Sequence, residues 1–387
     1  MTRRNFSAGL MAPLALRAAD LPKPALRIEL GPEQLIARGV PWPYLVQTRE
    51  GTSVLLGHIG WPPGGKYPLV YTALSFDGRK TWQEWKPGPE HGRGPVTEGS
   101  SVQLRDGRIL LFDVHAEHVG GKRFEASFWT SKDGFHTLEA PRKYSFLLPQ
   151  AEINSFDDRG EPISRMYLRR SVIELKNGDL LATCYGHFES DTMATEYMPK
   201  MYKTRSFLMR SSDQGTTWTL VSTIASDPVE QEGFGEPVLV QLKQGPNAGR
   251  LICQMRTGRE NPIYQCESDD EGKTWTKAYA LRWTYSRFGR QREIVGTDPD
   301  LIEMSDGTLV MSFGHKPDYK EHGNYMAFSL GHGQSWMQIT QISSTITSAY
   351  TGVREVSPGE LFVVYSTSST GSPKYDSMGR SVRVSRA

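Results

Sequence analysis

The sequence predicts an all-β protein, a six-bladed β-propeller built from four-stranded antiparallel blades. Two repeated patterns predict this fold, and no segment with a helical period competes with them. One pattern is a loop of the type Ser-x-Asp-x-Gly-x-Thr-Trp, and the other is a pair of short strands joined by a tight turn. The loops recur roughly every 60 residues, a spacing typical of radial β repeats.

The loop pattern has a local physical reason. Asp and Ser side chains hydrogen-bond nearby backbone N–H groups, Gly takes the left-handed turn position, and Trp packs the turn onto the next strand. Each copy therefore predicts a stapled hairpin and carries no chemistry of its own. The copies are SFDGRKTW from Ser75, SKDGFHTL from Ser131, SSDQGTTW from Ser211, SDDEGKTW from Ser268 and SLGHGQSW from Ser329.

Between the loops lies the second pattern, in which a short strand, a turn of the Asp-Gly type and a more apolar strand follow one another. Six copies predict six blades. They begin at Pro43, Ser100, Arg170, Glu236, Asp298 and Tyr350.

The last blade has too few residues to complete itself at the C-terminus. We expect LRIELGPEQLIA, near the N-terminus, to supply its outer strand beside SVRVSRA at the C-terminus. Such closure removes sheet edges that invite aggregation. An insertion over residues 188–204 predicts a loop at the rim.

Residues 1–19 resemble a twin-arginine export signal, with Arg3-Arg4 and a short apolar stretch ending at Ala19. The alternative is a disordered tail with two chance arginines. The propeller is expected over residues 20–387, in the periplasm or outside the cell. No later apolar run reaches the length of about 18 residues that spans a membrane. Cys253 and Cys266 lie about a predicted hairpin turn, where either a cross-strand disulfide or two buried thiols would fit.

The net charge of +2 on 387 residues, without a basic run, argues against a nucleic-acid surface. The blade repeat instead predicts a mouth lined by ionisable groups, because equivalent positions meet at one end of the central channel. Burying them is costly unless they pair or meet a ligand. The first strands open with Glu98, Arg170, Glu236, Asp298 and Tyr350, and the second strands close with His58, His115, His187, Arg256 and His315. Two alternatives are open for Arg169-Arg170: the pair supplies an anion contact, or Arg169 faces solvent while Arg170 points inward, since neighbours alternate along a strand.

The repeated loops and the repeated strand–turn–strand segments resemble those of the sialidase (neuraminidase) superfamily over nearly the whole mature chain. That resemblance implies a retaining glycosidase with a Tyr nucleophile, a Glu that takes its proton, an Asp acid/base and three Arg that bind a substrate carboxylate. SAYTGVREVSPGELFVVY matches the phrase around the Tyr and points to Tyr350. GEPVLVQLKQGPNAGRLICQMR matches the Glu and one Arg and points to Glu236 and Arg256.

The sequence departs from the family pattern in three places. Pro41-Trp42-Pro43 stands where the family has Arg-Ile-Pro, and GHKPDYKEHGNYMAFS contains no Arg where the third one is expected. No acidic residue lies between Glu50 and Asp77, where the acid/base is expected. The substrate is therefore expected to be a glycan that need not contain sialic acid.

The sequence thus predicts a hydrolase acting on a carbohydrate, with Tyr350, Glu236 and Asp298 as catalytic residues and Glu98 as an alternative proton donor. No zinc-binding spacing is present, and we expect neither a metal nor a cofactor. Two other functions stay open: a polysaccharide lyase that uses His187 and Tyr350, and a binding propeller without chemistry, in which Glu236 and Arg256 form a structural ion pair. The residues expected to bind substrate are Arg256, Arg170, His187, Glu98, His315 and His115.

Overall fold

The computed structural model of the protein describes residues 25–387, apart from 61–67, 93, 97, 158–159, 286–288, 316–321 and 369–374. The export signal expected over residues 1–19 lies outside the described residues. The described part is all-β, with strands numbered β1 to β29 in chain order and one short 3-10 helix, Pro89–His91. None of its helices is long and apolar enough to cross a membrane.

Four separate antiparallel sheets contain four strands each. The first is β2 (Trp42–Gln47), β3 (Ser53–Gly60), β4 (Leu69–Ser75) and β5 (Gln83–Trp85). The second is β17 (Gly235–Gln241), β18 (Leu251–Arg256), β19 (Tyr264–Ser268) and β20 (Tyr279–Ala280). The third is β23 (Thr297–Glu303), β24 (Leu309–His315), β25 (Gly323–Ser329) and β26 (Gln338–Ser343). The fourth is β27 (Thr351–Ser357), β28 (Glu360–Thr367), β29 (Asp376–Arg386) and β1 (Leu26–Ala37).

The two remaining sequence repeats share one nine-stranded sheet instead of forming two separate sheets. The outer strand β10 pairs antiparallel with β9 on one side and parallel with β16 on the other. Strand β8 pairs with both β9 and β13. Through these pairings seven of the strands form a closed ring. Its members are β6 (Ser101–Gln103), β7 (Ile109–Phe112), β8 (His115–Gly120), β9 (Arg123–Ser131), β10 (Arg142–Leu147), β13 (Arg165–Glu174), β14 (Leu180–Gly186), β15 (Arg205–Ser211) and β16 (Thr217–Ala225). Two small hairpins complete the strands: β11 (Ser155–Phe156) with β12 (Pro162–Ile163), and β21 (Arg282–Thr284) with β22 (Gln291–Glu293).

The two ends of the chain close the last sheet, as the sequence predicts. Strand β1 pairs antiparallel with β29, with Leu26 opposite Arg386 and Ile28 opposite Val384. Leu26 is buried in one cluster with Val382 and Val384. Burial of these apolar side chains stabilises the closure, and the pairing covers an edge that would otherwise be open.

The stapled loops are also confirmed, and each connects the third strand of a repeat to its fourth. In the copy from Ser211, Asp213 Oδ1 accepts hydrogen bonds from Ser211 Oγ at 2.8 Å and from the Thr217 amide at 2.8 Å. Trp218 is 1% exposed and donates its indole N–H to the Gly215 carbonyl. In the last copy, which has Gly331 in place of Asp, the turn relies on bonds to Ser329 Oγ.

The first strands of successive repeats contact one another: β6 with β13, β13 with β17, β17 with β23, β23 with β27, and β27 with β2. Three of them contain a register irregularity, and Ser171, Glu236 and Asp298 there have φ of 69°, 44° and 51°. Left-handed backbone at non-glycine residues is uncommon and costs energy. A bulge re-aims side chains, and these bulges turn charged groups toward the point where the strands converge.

Cys253 and Cys266 lie directly opposite each other on β18 and β19. Both are buried free thiols, as is Cys184. The two-thiol alternative therefore holds in this structure.

Candidate active site

A cavity of about 520 Å³ lies at the ends of the first and second strands. The structure brings most of the sequence-predicted residues to its wall. These are His58, Glu98, His115, His187, Glu236, Arg256 and Tyr350. Arg170, Asp298 and His315 are not among the described residues that line it.

Tyr350, Glu236 and Arg256 form the centre of the site. The Tyr350 hydroxyl donates a hydrogen bond to Glu236 Oε1 at 2.9 Å, and Arg256 Nη1 donates to the same oxygen at 3.1 Å. Glu236 Oε2 is buried and accepts no hydrogen bond from the described residues. Three residues from two sheets therefore meet at one carboxylate, which retains an unused acceptor.

The electrostatics of this centre favour an ionised carboxylate beside a neutral phenol. Burial opposes the charge on Glu236, but Arg256 and Arg169 outweigh burial and hold the pKa of the carboxyl below its usual value. Burial, and then the Glu236 charge, raise the pKa of Tyr350 well above its usual value. At neutral pH the proton thus resides on Tyr350, and the carboxylate is ready to accept it during a reaction.

Arg169 is buried and contacts carboxylates, so the anion contact holds and the alternative of a side chain facing solvent is excluded. Both Arg169 and Arg170 are almost fully buried, at 0% and 2% exposed. Alternation along β13 fails here because the register shifts between Arg169 and Ile173 and because Ser171 adopts a left-handed backbone. Arg169 contacts Glu98 and Asp298, and its Nη2 lies 3.6 Å from Glu236 Oε1.

Asp298 lies beneath the cavity and not on its wall. It is 0% exposed and is bound by both Arg169 and Arg170. Burial raises the pKa of Asp298 to about 6, although Arg170 and Arg169 oppose the shift. Arg170 also contacts Asp300 at 3.3 Å and donates to the Thr351 carbonyl at 2.6 Å. Asp298 and Arg170, expected at the mouth, thus form a buried support that fixes Arg169.

Glu98 is an acidic residue of the cavity wall that is accessible from the cavity. Its side chain is 15% exposed, contacts Arg169, and lies 3.8 Å from His58 Nδ1. A carboxyl in that position can exchange a proton with a bound ligand.

The histidines occupy different places. His187 Nε2 lies 2.8 Å from the Tyr202 carbonyl oxygen, which can only accept, so Nε2 carries the proton. Burial lowers the pKa of His187 and favours the neutral ring, whose Nδ1 is then unprotonated. The His115 amide donates to Asp113 Oδ1, and its ring packs edge-on against Tyr167. The residues that follow His315 lie outside the described part.

Several lining residues were not identified from the sequence. Glu232 accepts hydrogen bonds from Arg256 Nη2 at 3.0 Å and from the Tyr197 hydroxyl at 2.9 Å. Tyr167 and Tyr185 are stacked on the wall with ring centres 4.7 Å apart. Glu232 lies before the strand–turn–strand segment that begins at Glu236, and Tyr197 belongs to the inserted rim segment. Neither residue therefore has an equivalent in the other repeats. The only sequence signal was the insertion itself.

Chemically, the wall offers a phenol, carboxylates, guanidinium groups and flat aromatic faces. Aromatic faces and convergent polar groups are typical of sites that bind sugars or other hydroxyl-rich ligands. Among the described residues, no cluster of three or more His, Cys, Asp or Glu is placed to hold a metal ion.

The comparisons with known proteins concern the family and the fold of the chain. The BNR repeat-like domain matches residues 69–317. The anhydrosialidase of Macrobdella decora is 25% identical over 255 residues, which is 60% of this chain but only 31% of that protein. In structure, the chain is similar to a variant of the NanB sialidase of Streptococcus pneumoniae, with a TM-score of 0.59, 14% identity, and coverage of 91% of this chain and 70% of that one.

A second structural neighbour has a different named substrate. The α-L-arabinanase of Penicillium chrysogenum, solved with arabinobiose, has a TM-score of 0.58 at 14% identity and covers 91% of this chain and 98% of that one. At such identities the two structures show the fold alone. Because the domain match covers more than half of the sequence, the chain belongs to the BNR repeat-like family of the sialidase superfamily.

Proposed function

We propose that the protein is a glycoside hydrolase in which Tyr350 is the nucleophile and Glu236 accepts its proton. The observation that carries the proposal is the 2.9 Å hydrogen bond from the Tyr350 hydroxyl to a buried, arginine-bound carboxylate on the cavity wall. A tyrosine is a weak nucleophile at its ordinary pKa, and an adjacent base is what activates it.

The sheets fit the blades of a six-bladed propeller around this site. The first strands contact in succession from β6 to β2. Tyr44 and Val46 of β2 pack with Ile109 and Leu111 of β7, which brings the first and second repeats together. We infer that the nine-stranded sheet is two blades joined through β8 and β10.

The proposed reaction has two steps. In the first, Tyr350 oxygen bonds to the anomeric carbon, its proton passes to Glu236, and the bond to the leaving oxygen breaks as Glu98 protonates that oxygen. In the second, water attacks the anomeric carbon, Glu98 takes a proton from the water, and the released phenolate regains its proton from Glu236. Arg256 and Arg169 stabilise the charges that move between Tyr350 and Glu236.

Glu98 suits the proton transfer to the leaving group better than Asp298 does. Glu98 lies on the wall, whereas Asp298 is fully buried and held by two guanidinium groups. The role proposed for Asp298 is to position Arg169 against Glu98 and Glu236.

The test is hydrolysis of a panel of aryl glycosides by the wild-type protein and by Tyr350→Phe. The variant should lose at least about 1,000-fold in kcat, since nucleophile removal typically costs that much or more. Tyr264→Phe is a matched control, because the Tyr264 hydroxyl also donates to a glutamate, Glu230, at 2.9 Å, away from the cavity. Equal turnover by both variants would contradict the proposal.

A lyase is the second candidate, favoured by the neutral His187 with an unprotonated Nδ1 on the cavity wall. A neutral imidazole can remove the proton next to a uronate carboxylate. A new carbon–carbon double bond would then absorb ultraviolet light, and its appearance with a uronate-containing polysaccharide, lost in His187→Ala, would replace hydrolysis with this function.

A further inference from the structure

We propose that Glu232 determines substrate specificity and makes the site select a sugar that carries no carboxylate. The inference rests on the proposed glycoside hydrolysis and names the substrate class for the same cavity. It comes from the partners of Arg256, the guanidinium that the family resemblance assigns to a substrate carboxylate.

Both terminal nitrogens of Arg256 already bind carboxylates of the protein. Nη1 donates to Glu236 at 3.1 Å and Nη2 donates to Glu232 at 3.0 Å. A substrate carboxylate would bind this guanidinium best through two parallel hydrogen bonds. Each terminal nitrogen has a second N–H, but a substrate carboxylate bound there would lie beside the charges of Glu232 and Glu236, which already balance the guanidinium. Glu232 therefore weakens the attraction of Arg256 for a carboxylate-bearing sugar.

Glu232 is fixed in this position from three sides. Its amide donates to the Thr257 carbonyl at 2.9 Å, next to Arg256 in the chain. Its carbonyl accepts from the Thr204 amide at 2.8 Å, where the inserted rim segment ends. Its Oε1 accepts from the Tyr197 hydroxyl, which belongs to the same segment. The residue is 8% exposed, so the carboxylate is held by the fold and not by chance at the surface.

The charges around Glu232 work in the same direction. Among the described residues on the cavity wall, the carboxyl groups belong to Glu98, Asp157, Glu232 and Glu236, and the guanidinium groups to Arg165, Arg256 and Arg259. Arg165 Nε also lies 3.8 Å from Glu117. At Arg256 itself, an incoming carboxylate would meet the charges of Glu232 and Glu236, which a neutral sugar avoids.

A neutral sugar can use the same group favourably. The two hydrogen bonds described for the Glu232 side chain both end on Oε1. Oε2 is then an acceptor for a sugar hydroxyl, and a bond to a charged acceptor is among the stronger hydrogen bonds. Glu232 thus attracts a hydroxyl and repels a carboxylate at the same place.

The experiment compares aryl glycosides in matched pairs that differ only at C6, glucoside with glucuronide and galactoside with galacturonide, together with an aryl sialoside. Wild type is expected to favour the neutral member of a pair by at least about tenfold in kcat/KM, a difference of 1.4 kcal/mol. Glu232→Gln keeps the shape and the acceptor but removes the charge. It should reduce that preference by about tenfold, mainly through a lower KM for the carboxylate member.

Glu230→Gln is the matched control, since Glu230 binds Tyr264 and Asn261 and does not line the cavity. It should leave the preference unchanged. Calorimetric binding of free glucose, galactose and their uronic acids repeats the comparison without turnover. A failure of the hydrolase proposal can therefore be distinguished from a failure of the specificity proposal for Glu232. Tyr350-dependent turnover that favours the carboxylate members would overturn the role of Glu232 and leave hydrolysis standing. An unchanged preference in Glu232→Gln would also overturn the role of Glu232. The absence of both binding and turnover with every neutral sugar would overturn it as well.

Discussion

The Tyr350–Glu236 pair and the Tyr264–Glu230 pair have the same contact in different surroundings. In each, a tyrosine hydroxyl donates to a glutamate Oε1 at 2.9 Å. Glu236 has Arg256 and Arg169 beside it and faces a cavity, whereas the second oxygen of Glu230 accepts from the neutral amide of Asn261. Burial, followed by the bond to Glu230, raises the pKa of Tyr264 to about 12. The contact alone does not make a site; guanidinium groups and access for a ligand do.

The largest expected effect is on the base. Glu236→Gln removes the proton acceptor and should lower kcat by at least about 1,000-fold, whereas Glu230→Gln should stay within about twofold of wild type. Steady-state rates on the best aryl glycoside of the panel measure both. Comparable losses in the two variants would show that the pairs do not differ in function.

The next effect concerns Arg169, the buried cation beside the Glu236 carboxylate. Arg169→Met leaves Glu98 and Asp298 without their shared guanidinium and should reduce the free energy of unfolding by about 3–5 kcal/mol. The matched change Arg250→Met breaks a surface pair with Asp269 and should cost about 1 kcal/mol or less. Urea titrations followed by fluorescence measure the difference. Equal midpoints would contradict the supporting role of Arg169.

A pH profile sharpens the contrast further. Because the folded pKa of Glu236 lies below its ordinary value of about 4.3, its ionised form is stabilised above that value. The benefit is lost only as the pH falls through the lowered pKa. The acid limb of kcat/KM should therefore lie below the ordinary value. Arg256→Met removes the main charge that lowers the pKa of Glu236 against the effect of burial, so the acid limb of the kcat/KM profile should move to higher pH. Arg250→Met should leave the limb in place. A limb that stays in place in Arg256→Met would refute this assignment.

The smallest expected effect falls on the stapled loops, far from either pair. Asp213→Ala removes the acceptor for Ser211 and Thr217 and should cost about 1 kcal/mol of stability. KM should not change, because the loop does not line the cavity. Thermal unfolding and substrate kinetics on one preparation check both statements, and an altered KM would connect the loop to the site.

Much of the fold could be predicted because each repeat is specified by residues that are close together in the sequence. Turn chemistry placed the loops, and alternating apolar residues placed the paired strands. The edge left at the last blade required β1 to pair with β29, and the structure confirms it. The joining of two repeats through β10 could not be predicted, since nothing in the local pattern indicates that an outer strand pairs with two neighbours.

Most of the residues that the repeat predicted at the site line the cavity, although Arg170 and Asp298 also occupy repeat positions and are buried away from it. Glu236, Arg256 and Tyr350 occupy repeat positions and do meet. For Arg169 the sequence left an anion contact and a side chain facing solvent open, and the second is wrong because a bulge interrupts the alternation on which it relied. Glu232 and Tyr197 lie in segments outside the repeat, and only the fold brings them to Arg256.

The most direct test of the central claim is mass spectrometry of the protein after reaction with a fluorosugar. The reagent is built on the sugar that the panel identifies, with fluorine next to the anomeric carbon and fluoride as the leaving group. Electron withdrawal slows the second step, so a covalent intermediate accumulates. The predicted result is one added sugar per chain, located on Tyr350 and absent in Tyr350→Phe. A label on Glu98 or Glu236, or an unlabelled protein that still turns over the reagent, would contradict the account.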